Sequence, residues 1–283
     1  MDLNQWLQVV HLADESFVEK ILYRLVKKHV SGTTMSSALE KARELNGKKI
    51  HASITFLSSG VSSKPKAKYI TSTYQELIRQ VARRGLTASV QVPLVQLGLG
   101  QDDGAAEENL RDIISTGNKH GIFIWAELPE GAGFGMKGFE SFRGFGIALP
   151  AESVPGFMKE HKEARPVKAI FQGDDGREQR TSDAGAIERA AGKANGMVLL
   201  STPKDVARRL LSGTKTRKSV IFEVRLGDDR KVMKNMMKKG AKVSVYLPFG
   251  KDWHAYAMNN VPEGYMRFLA GKFLDEKEEM SGI

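Results

Sequence analysis

The side chains best placed for chemistry lie near the C-terminal end of the sequence, where a strand-like run meets a helix-like run. The alternating run V-S-V-Y-L ends at Pro248 and Gly250, and Trp253, Tyr256 and Asn260 follow it. Spacings of three and four residues place these last three side chains on one face of a helix. A sharp strand-to-helix junction is the repeating unit of a (β/α) barrel, whose ligands bind there. The sequence therefore predicts a ligand site at this junction.

Common catalytic and metal-binding motifs are missing from the sequence. It has no cysteine, which excludes disulfides, thiolate metal sites and thiol nucleophiles. Its six histidines form neither H-x-H nor H-E-x-x-H, and no G-x-S-x-G motif is present. The run Gly133–Gly138 matches G-x-G-x-x-G, but the next strand-like run begins too soon for the helix that a dinucleotide site needs. We interpret it as a glycine-rich loop.

Length and composition are those of an ordinary globular protein. The 283 residues are 41% hydrophobic and 27% charged, which fits one large α/β barrel or two smaller domains. The net charge of +10 permits attraction to nucleic acid or an anionic surface, but Lys and Arg are spread along the chain, which favours a solvated surface. The polar N-terminus and the lack of a long apolar run predict a cytoplasmic protein.

Eight strand-like runs alternate with helix-like runs at a spacing typical of βα units. The predicted strands are Ile50–Leu57, Thr87–Val95, Gly121–Leu128, Phe145–Leu149, Val167–Phe171, Met197–Leu200, Ser219–Val224 and Lys242–Leu247. This alternation predicts an α/β fold of the (β/α)8 TIM-like barrel type, with an open doubly wound sheet as the alternative. We expect residues 1–47 to form an N-terminal helical segment packed on the barrel. Residues 48–283 would form the barrel itself, in a single domain overall.

Apolar spacing and capping residues predict where the helices lie. Residues up to Val30 are expected to be helical, and a second helix would be capped by Ser36 or Ser37. A loop over Ser58–Lys68 is expected before the first barrel helix at Tyr69–Arg84, and Asp102 or Asp103 would cap the next one. The later predicted helices are Val154–His161, Asp183–Lys193, Lys204–Leu211, Asp228–Lys239 and a last one after Pro262.

Three stretches resemble the proline dehydrogenase family. From Tyr246 to Tyr256 the chain is similar to the family's Y-x-P-Y-G-x-x-W run, which in the family leads into Y-x-x-R-R. From Arg165 to Phe171 it resembles R-L-V-K-G-A-Y, and from Val92 to Gly98 it resembles V-K-L-T-Q-L-G. The resemblance implies a (β/α)8 barrel that binds FAD and oxidises L-proline or a related small amino or imino acid.

The same resemblance implies roles for individual residues. The implied set is Lys168 and Tyr256 as catalytic residues, Arg165, Gln96 and Glu223 as cofactor-binding residues, and Asn259, Asn260 and Phe171 as substrate-binding residues. A cation beside a flavin stabilises the electron-rich reduced ring, which is the role expected of Arg165. The implied partners are a small amino or imino acid and an electron acceptor or membrane surface, with no specific nucleic acid.

Several positions depart from the family's pattern. Asn259 and Asn260 stand where the family has two arginines that hold the substrate carboxylate, and each lost ionic contact costs about 1.5–3 kcal/mol. Glu223 stands where the family has Gln, and Ser201-Thr202-Pro203 replaces a T-H-D-P-like turn. Three functions stay open: a divergent flavin oxidoreductase, a barrel that has lost flavin and acts as a binding or interaction protein, and a basic nucleic-acid-binding barrel. The last of these lacks a nucleic-acid-reading motif.

Overall fold

Eight parallel strands form a closed barrel in the computed structural model of the chain. The strands are β1 (His51–Phe56), β2 (Ala88–Pro93), β3 (Ile124–Glu127), β4 (Phe145–Pro150), β5 (Val167–Ile170), β6 (Met197–Leu200), β7 (Val220–Arg225) and β8 (Lys242–Phe249). Each strand pairs with the next along the chain, and β8 closes the ring by pairing with β1 from His51↔Ser244 to Phe56↔Phe249. The predicted (β/α)8 barrel is confirmed, and the open sheet is excluded.

The structure describes residues 27–58, 61, 63–131, 139, 142–160, 166–171, 185, 187, 189, 196–202, 204–212, 220–227, 230–253 and 256. The glycine-rich run at 133–138, the helix expected after Pro262 and most of the N-terminal segment lie outside these residues. Residues 27–30, which were expected to be helical, form a turn. The domain boundary at residue 47 stays a prediction.

Helices surround the barrel within the described part of the chain. They are α1 (Met35–Asn46), α2 (Lys64–Arg83), α3 (Asp103–His120), α4 (Val154–Glu160), α5 (Lys204–Ser212) and α6 (Arg230–Lys238), with short 3-10 helices at Leu94–Leu97 and Ala151–Ser153. The first of them, α1, packs against β1 and β8. No helix among the described residues combines the length and apolar composition needed to cross a membrane.

The first two helices begin earlier than their sequences predicted. The cap of α1 is Thr34, whose side chain accepts a hydrogen bond from the Ser37 N–H at 3.3 Å, so the prediction of Ser36 or Ser37 is wrong. Helix α2 begins inside the expected loop because Ser63 accepts from the Lys66 N–H and Pro65 occupies the first turn, where a missing N–H costs nothing.

One helix start agrees with the sequence. Asp102 caps α3 and accepts a hydrogen bond from the Ala105 N–H at 3.0 Å. It was one of the two aspartates predicted for this position.

Strand alternation divides the core into an outer apolar layer and an inner layer of mixed polarity. On β7, Phe222 and Val224 pack into the large apolar cluster between strands and helices. Ile221 packs instead with Trp125 in a small cluster inside the ring. Gly146 on β4 leaves room for that indole, since a Cβ there would lie 2.6 Å from its Cζ3 atom. The inner face of each strand therefore determines what the barrel can hold.

A glycine within α3 gives a test of the packing between helix and strand. We expect Gly117→Ala to lower the free energy of unfolding by about 1–3 kcal/mol, as overpacking does in a tight core. The added Cβ would lie 2.7 Å from Ile124 Cγ1 and 2.8 Å from the Ile122 carbonyl oxygen. The measurement is urea unfolding followed by circular dichroism.

Gly104→Ala in the same helix is the matched control. Its Cβ would meet nothing closer than Asp102 Oδ1 at 3.7 Å. Alanine is the better helix former by about 1 kcal/mol, so this variant should be as stable as the parent or more stable. Equal stabilisation by both changes would contradict the close packing of α3 on β3.

Candidate active site

A buried lysine occupies the inside of the barrel. Lys168 on β5 is 0% exposed, and its ammonium donates to Ser53 Oγ at 3.1 Å, Gln91 Oε1 at 2.7 Å and Glu223 Oε2 at 2.8 Å. An ammonium has three N–H donors, so all of them have an acceptor here. The Nζ atom also lies 5.0 Å from the centroid of the Trp125 ring, within range of a cation–π contact.

Hydrogen bonds extend outward from this lysine to further strands. The second carboxylate oxygen of Glu223 accepts from Ser244 Oγ at 3.1 Å. Gln91 uses its other amide atom, Nε2, to donate to Glu127 Oε2 at 2.7 Å. The network therefore joins β1, β2, β3, β5, β7 and β8, and it runs from the middle of the barrel to the last residue of β3.

Burial and charge act in opposite directions on the ionisable groups of this network. Burial lowers the pKa of Lys168, while the adjacent Glu223 carboxylate opposes that shift. Burial raises the pKa of Glu127, against the hydrogen bond from Gln91 and the positive charges of Lys168 and Arg225. Each charge is stable only because it has a partner in a low-dielectric interior.

Two tyrosines lie beside each other near the end of β8. Tyr246 is on β8 and Tyr256 is three residues beyond Trp253, with 6.3 Å between the two ring centroids. Burial is the largest cause that raises the pKa of Tyr246, so its phenol stays protonated near neutral pH. These rings supply aromatic surface close to the carboxyl ends of the strands.

An unpaired hydroxyl lies directly after β6. Ser201 has φ 57°, which is rare for a residue other than glycine, and its Oγ is buried without a hydrogen-bond partner in the described part of the chain. Strained backbone and unsatisfied buried groups both cluster at ligand sites. The carboxyl end of β6 therefore has the features of a ligand contact.

Two proline dehydrogenases resemble this chain along most of its length, although no protein-family model matches it. The enzyme of Deinococcus radiodurans is 23% identical over 288 residues, covering 90% of this chain and 92% of that protein. Proline dehydrogenase 2 of Bacillus subtilis is 22% identical over 274 residues, covering 83% and 85% of the two chains. The chain is thus similar to proline dehydrogenases over most of its length, at low identity. These relatives support a proline dehydrogenase-like function in general terms.

Solved structures agree with this assignment at the level of the fold. The chain matches the crystal structure of proline utilization A (PutA) from Bdellovibrio bacteriovorus, inactivated by N-propargylglycine, with a TM-score of 0.69 at 15% identity. A PutA variant from Bradyrhizobium japonicum matches with a TM-score of 0.59 at 14% identity. The chain spans 35% and 30% of those two PutA chains, which are therefore much longer proteins.

The structure brings some of the expected site residues together. Lys168 and Glu223 form a buried ion pair at 2.8 Å, and Tyr256 packs near Tyr246. Phe171 directly follows β5, and its carbonyl oxygen accepts from Arg225 Nη2 at 3.4 Å. Their roles in binding or catalysis stay predictions.

Gln96, another expected site residue, lies apart from the hydrogen bonds of Lys168. Gln96 lies in the 3-10 helix after β2, where its Oε1 accepts from the Tyr74 hydroxyl at 2.9 Å and its Nε2 donates to the Phe56 carbonyl at 3.1 Å. Both ends of this side chain are therefore bonded within the protein. Arg165, Asn259 and Asn260 lie outside the described residues.

Sequence reasoning missed four polar residues of the inner face. They are Ser53, Gln91, Glu127 and Arg225, each on a strand whose outward residues are apolar. Their signal was present as polar residues at alternate strand positions, which in a barrel point inward. This alternating pattern is too short on each strand to be distinguished from a solvated face by sequence alone.

Removing the buried ammonium should destabilise the fold. We expect Lys168→Met to lower the free energy of unfolding by about 3–5 kcal/mol, because it leaves the Glu223 carboxylate buried without its cation. Urea unfolding measures the change. Adding Glu223→Gln to this variant should recover part of the loss, because the double variant buries no unpaired charge at this position.

Lys159→Met on the exposed end of α4 is the control, with an expected change within about 0.5 kcal/mol. A Lys168→Met variant as stable as this control would contradict the central place of the lysine.

Proposed function

We propose that the chain is a flavin-dependent dehydrogenase of L-proline or a related small amino or imino acid. The observation that supports it most is the position of Lys168. This residue belongs to the run that resembles the family's fifth strand, and it lies inside a closed ring of eight strands. Relatives named proline dehydrogenase match the chain over most of both lengths. A small polar substrate suits a mouth lined by tyrosines and charged strand ends.

The donor set at the barrel mouth fits FAD. Ser201 offers a buried hydroxyl with no partner among the described residues, at a turn where the family has its own polar residues. Lys168 holds a positive charge inside the ring, and Arg165 is the second cation implied beside the cofactor. Bound FAD would supply the hydride acceptor. A positive charge near its ring would stabilise the negative charge of the reduced form.

The chain's own residues would bind and orient the substrate. Tyr246 and Tyr256 give a buried and a half-buried ring side by side, which exclude water from a bound apolar ring. Phe171 would extend this surface from β5. Asn259 and Asn260 would donate neutral hydrogen bonds to the substrate carboxylate, in place of the charged pair in the family.

A second candidate is a barrel that binds a small molecule without redox turnover. The observation in its favour is that all three donors of Lys168 and both carboxylate oxygens of Glu223 are bonded within the protein. A network with all its bonds inside the protein can stabilise the fold without taking part in catalysis. The electron acceptor and any contact with a membrane surface stay predictions under either candidate.

Absorbance spectroscopy separates the two candidates. The full chain is purified, mixed with FAD and freed of excess cofactor, and we expect it to retain flavin absorbance. Anaerobic L-proline should then bleach the oxidised flavin bands, whereas pyrrolidine, which lacks the carboxylate, should bleach them more slowly. A colourless protein that takes up no FAD would contradict the flavin assignment and favour the second candidate. A yellow protein that small amino and imino acids leave unchanged would contradict the proposed substrate class.

Ser201 allows the cofactor site to be tested without turnover. Loss of one neutral hydrogen bond weakens binding by about 2- to 12-fold, so we expect Ser201→Ala to raise the Kd for FAD by that factor. Quenching of flavin fluorescence on binding gives the Kd. Ser36→Ala on the exposed face of α1 is the control and should leave it unchanged. An equal Kd for both variants would remove Ser201 from the cofactor site.

A further inference from the structure

Two opposite charges lie at the carboxyl ends of strands on opposite sides of the ring. Glu127 is the last residue of β3, and Arg225 is the last residue of β7. In a closed ring in sequence order, these strands are four positions apart in either direction, which places them across the barrel from each other. All strands are parallel, so both residues lie at the same end of the barrel.

Glu127 points inward and has capacity for another donor. Its Oε2 accepts from Gln91 Nε2 at 2.7 Å, which ties it to the lysine network on the inner face. Its Oε1 has no hydrogen-bond partner within the described part of the chain, and the side chain is half-buried. A carboxylate oxygen held in this way can accept an N–H from a bound ligand.

Arg225 points to the same face. It lies two residues beyond Glu223, whose carboxylate is inside the ring, and alternation returns the side chain to that side. Its Nη2 donates to the Phe171 carbonyl at the end of β5, across the end of β6, at 3.4 Å. Arg225 also borders a groove on the outside of the barrel between α1 and α6, but this bond places its Nη2 at the carboxyl end of the ring.

The two groups attract each other without forming a direct ion pair among the described residues. Burial raises the pKa of the Glu127 carboxyl, and the Arg225 charge across the ring opposes part of that rise. A cation and a carboxylate at the same end of the ring, not paired directly with each other, match a zwitterion, whose carboxylate and ammonium need one partner each. A guanidinium presents a planar fork of N–H donors that fits a carboxylate.

We propose that Arg225 and Glu127 bind the two charged ends of the amino- or imino-acid substrate, Arg225 its carboxylate and Glu127 its ammonium. The proposal rests on the proposed function and identifies two specificity-determining residues of the same site. It accounts for a cation on β7 in a chain that has Asn259 and Asn260 where the family has two arginines.

The test measures binding of three probes by isothermal titration to the full chain with FAD that is kept reduced under anaerobic conditions, so that L-proline binds without being oxidised. The probes are L-proline, L-prolinamide, which lacks the carboxylate, and cyclopentanecarboxylate, which lacks the amine. We expect Arg225→Gln to weaken L-proline and cyclopentanecarboxylate by about 10- to 100-fold and to leave L-prolinamide unchanged. Glu127→Gln should weaken L-proline and L-prolinamide by about the same factor and leave cyclopentanecarboxylate unchanged.

Two neutral substitutions of exposed charges serve as matched controls. Arg143→Gln lies next to the start of β4, and Glu130→Gln lies three residues beyond Glu127. Both should bind all three probes like the parent protein. If Arg225→Gln does not fold, Arg225→Lys replaces it. This variant keeps the charge and loses the fork, so its affinity for L-proline should fall while that for L-prolinamide stays the same.

The outcomes separate the inference from the function on which it rests. A parent protein that binds L-proline, with Arg225 and Glu127 variants that behave like the controls, would overturn the inference alone. Uniform weakening of all three probes would also overturn it, because a merely structural role predicts that pattern. A parent protein that binds none of the probes would overturn the proposed substrate class and the inference together.

Discussion

The ammonium of Lys168 imposes the strictest constraint on this structure. A charge inside a barrel is costly unless every donor has an acceptor, and the acceptors here come from three other strands. The pair with Glu223 ties β5 to β7, and the bond to Ser53 ties β5 to β1. A slip of one residue in β5 would turn Lys168 toward the apolar helix-facing layer. The position of this one side chain therefore helps to specify the register of the ring.

The same network connects the centre of the barrel to its mouth. Gln91 has its amide orientation set by Lys168, because the carbonyl oxygen must face the ammonium. The amide nitrogen is then directed at Glu127, which fixes one oxygen of a carboxylate at the end of β3. A lysine buried in the middle of the barrel thus determines the orientation of a carboxylate at the carboxyl end of β3. Rigid support of this kind is what an accurate binding site requires.

The sequence predicted the fold better than the site. The strands and helices follow local sequence patterns, whereas the site depends on contacts between residues far apart in the sequence. Each strand and helix carries its own local pattern, so all eight strands were predicted within a few residues of their observed ends. Errors at helix starts arose where a capping residue, and not the spacing of apolar residues, determined the first turn, as at Thr34 and Ser63. The bond between Lys168 and Ser53 joins residues 115 positions apart, and the pair of Lys168 and Glu223 spans 55. Only the closed ring brings such residues together.

The separation of the two core layers explains how such a barrel can change its site and keep its fold. Outward residues such as Phe222 and Val224 hold the helices on the barrel, while their neighbours Glu223 and Arg225 face inward. Inner residues at strand ends can therefore change without loss of the outer core. Arg225 pairs with Tyr246 on β8, and a side chain on a paired strand is positioned more rigidly than one on a peripheral helix. A carboxylate-binding charge on β7, in place of charges at positions 259 and 260, would thus preserve recognition of the carboxylate. It would also reshape the space above the barrel, where selectivity among small amino and imino acids would be decided.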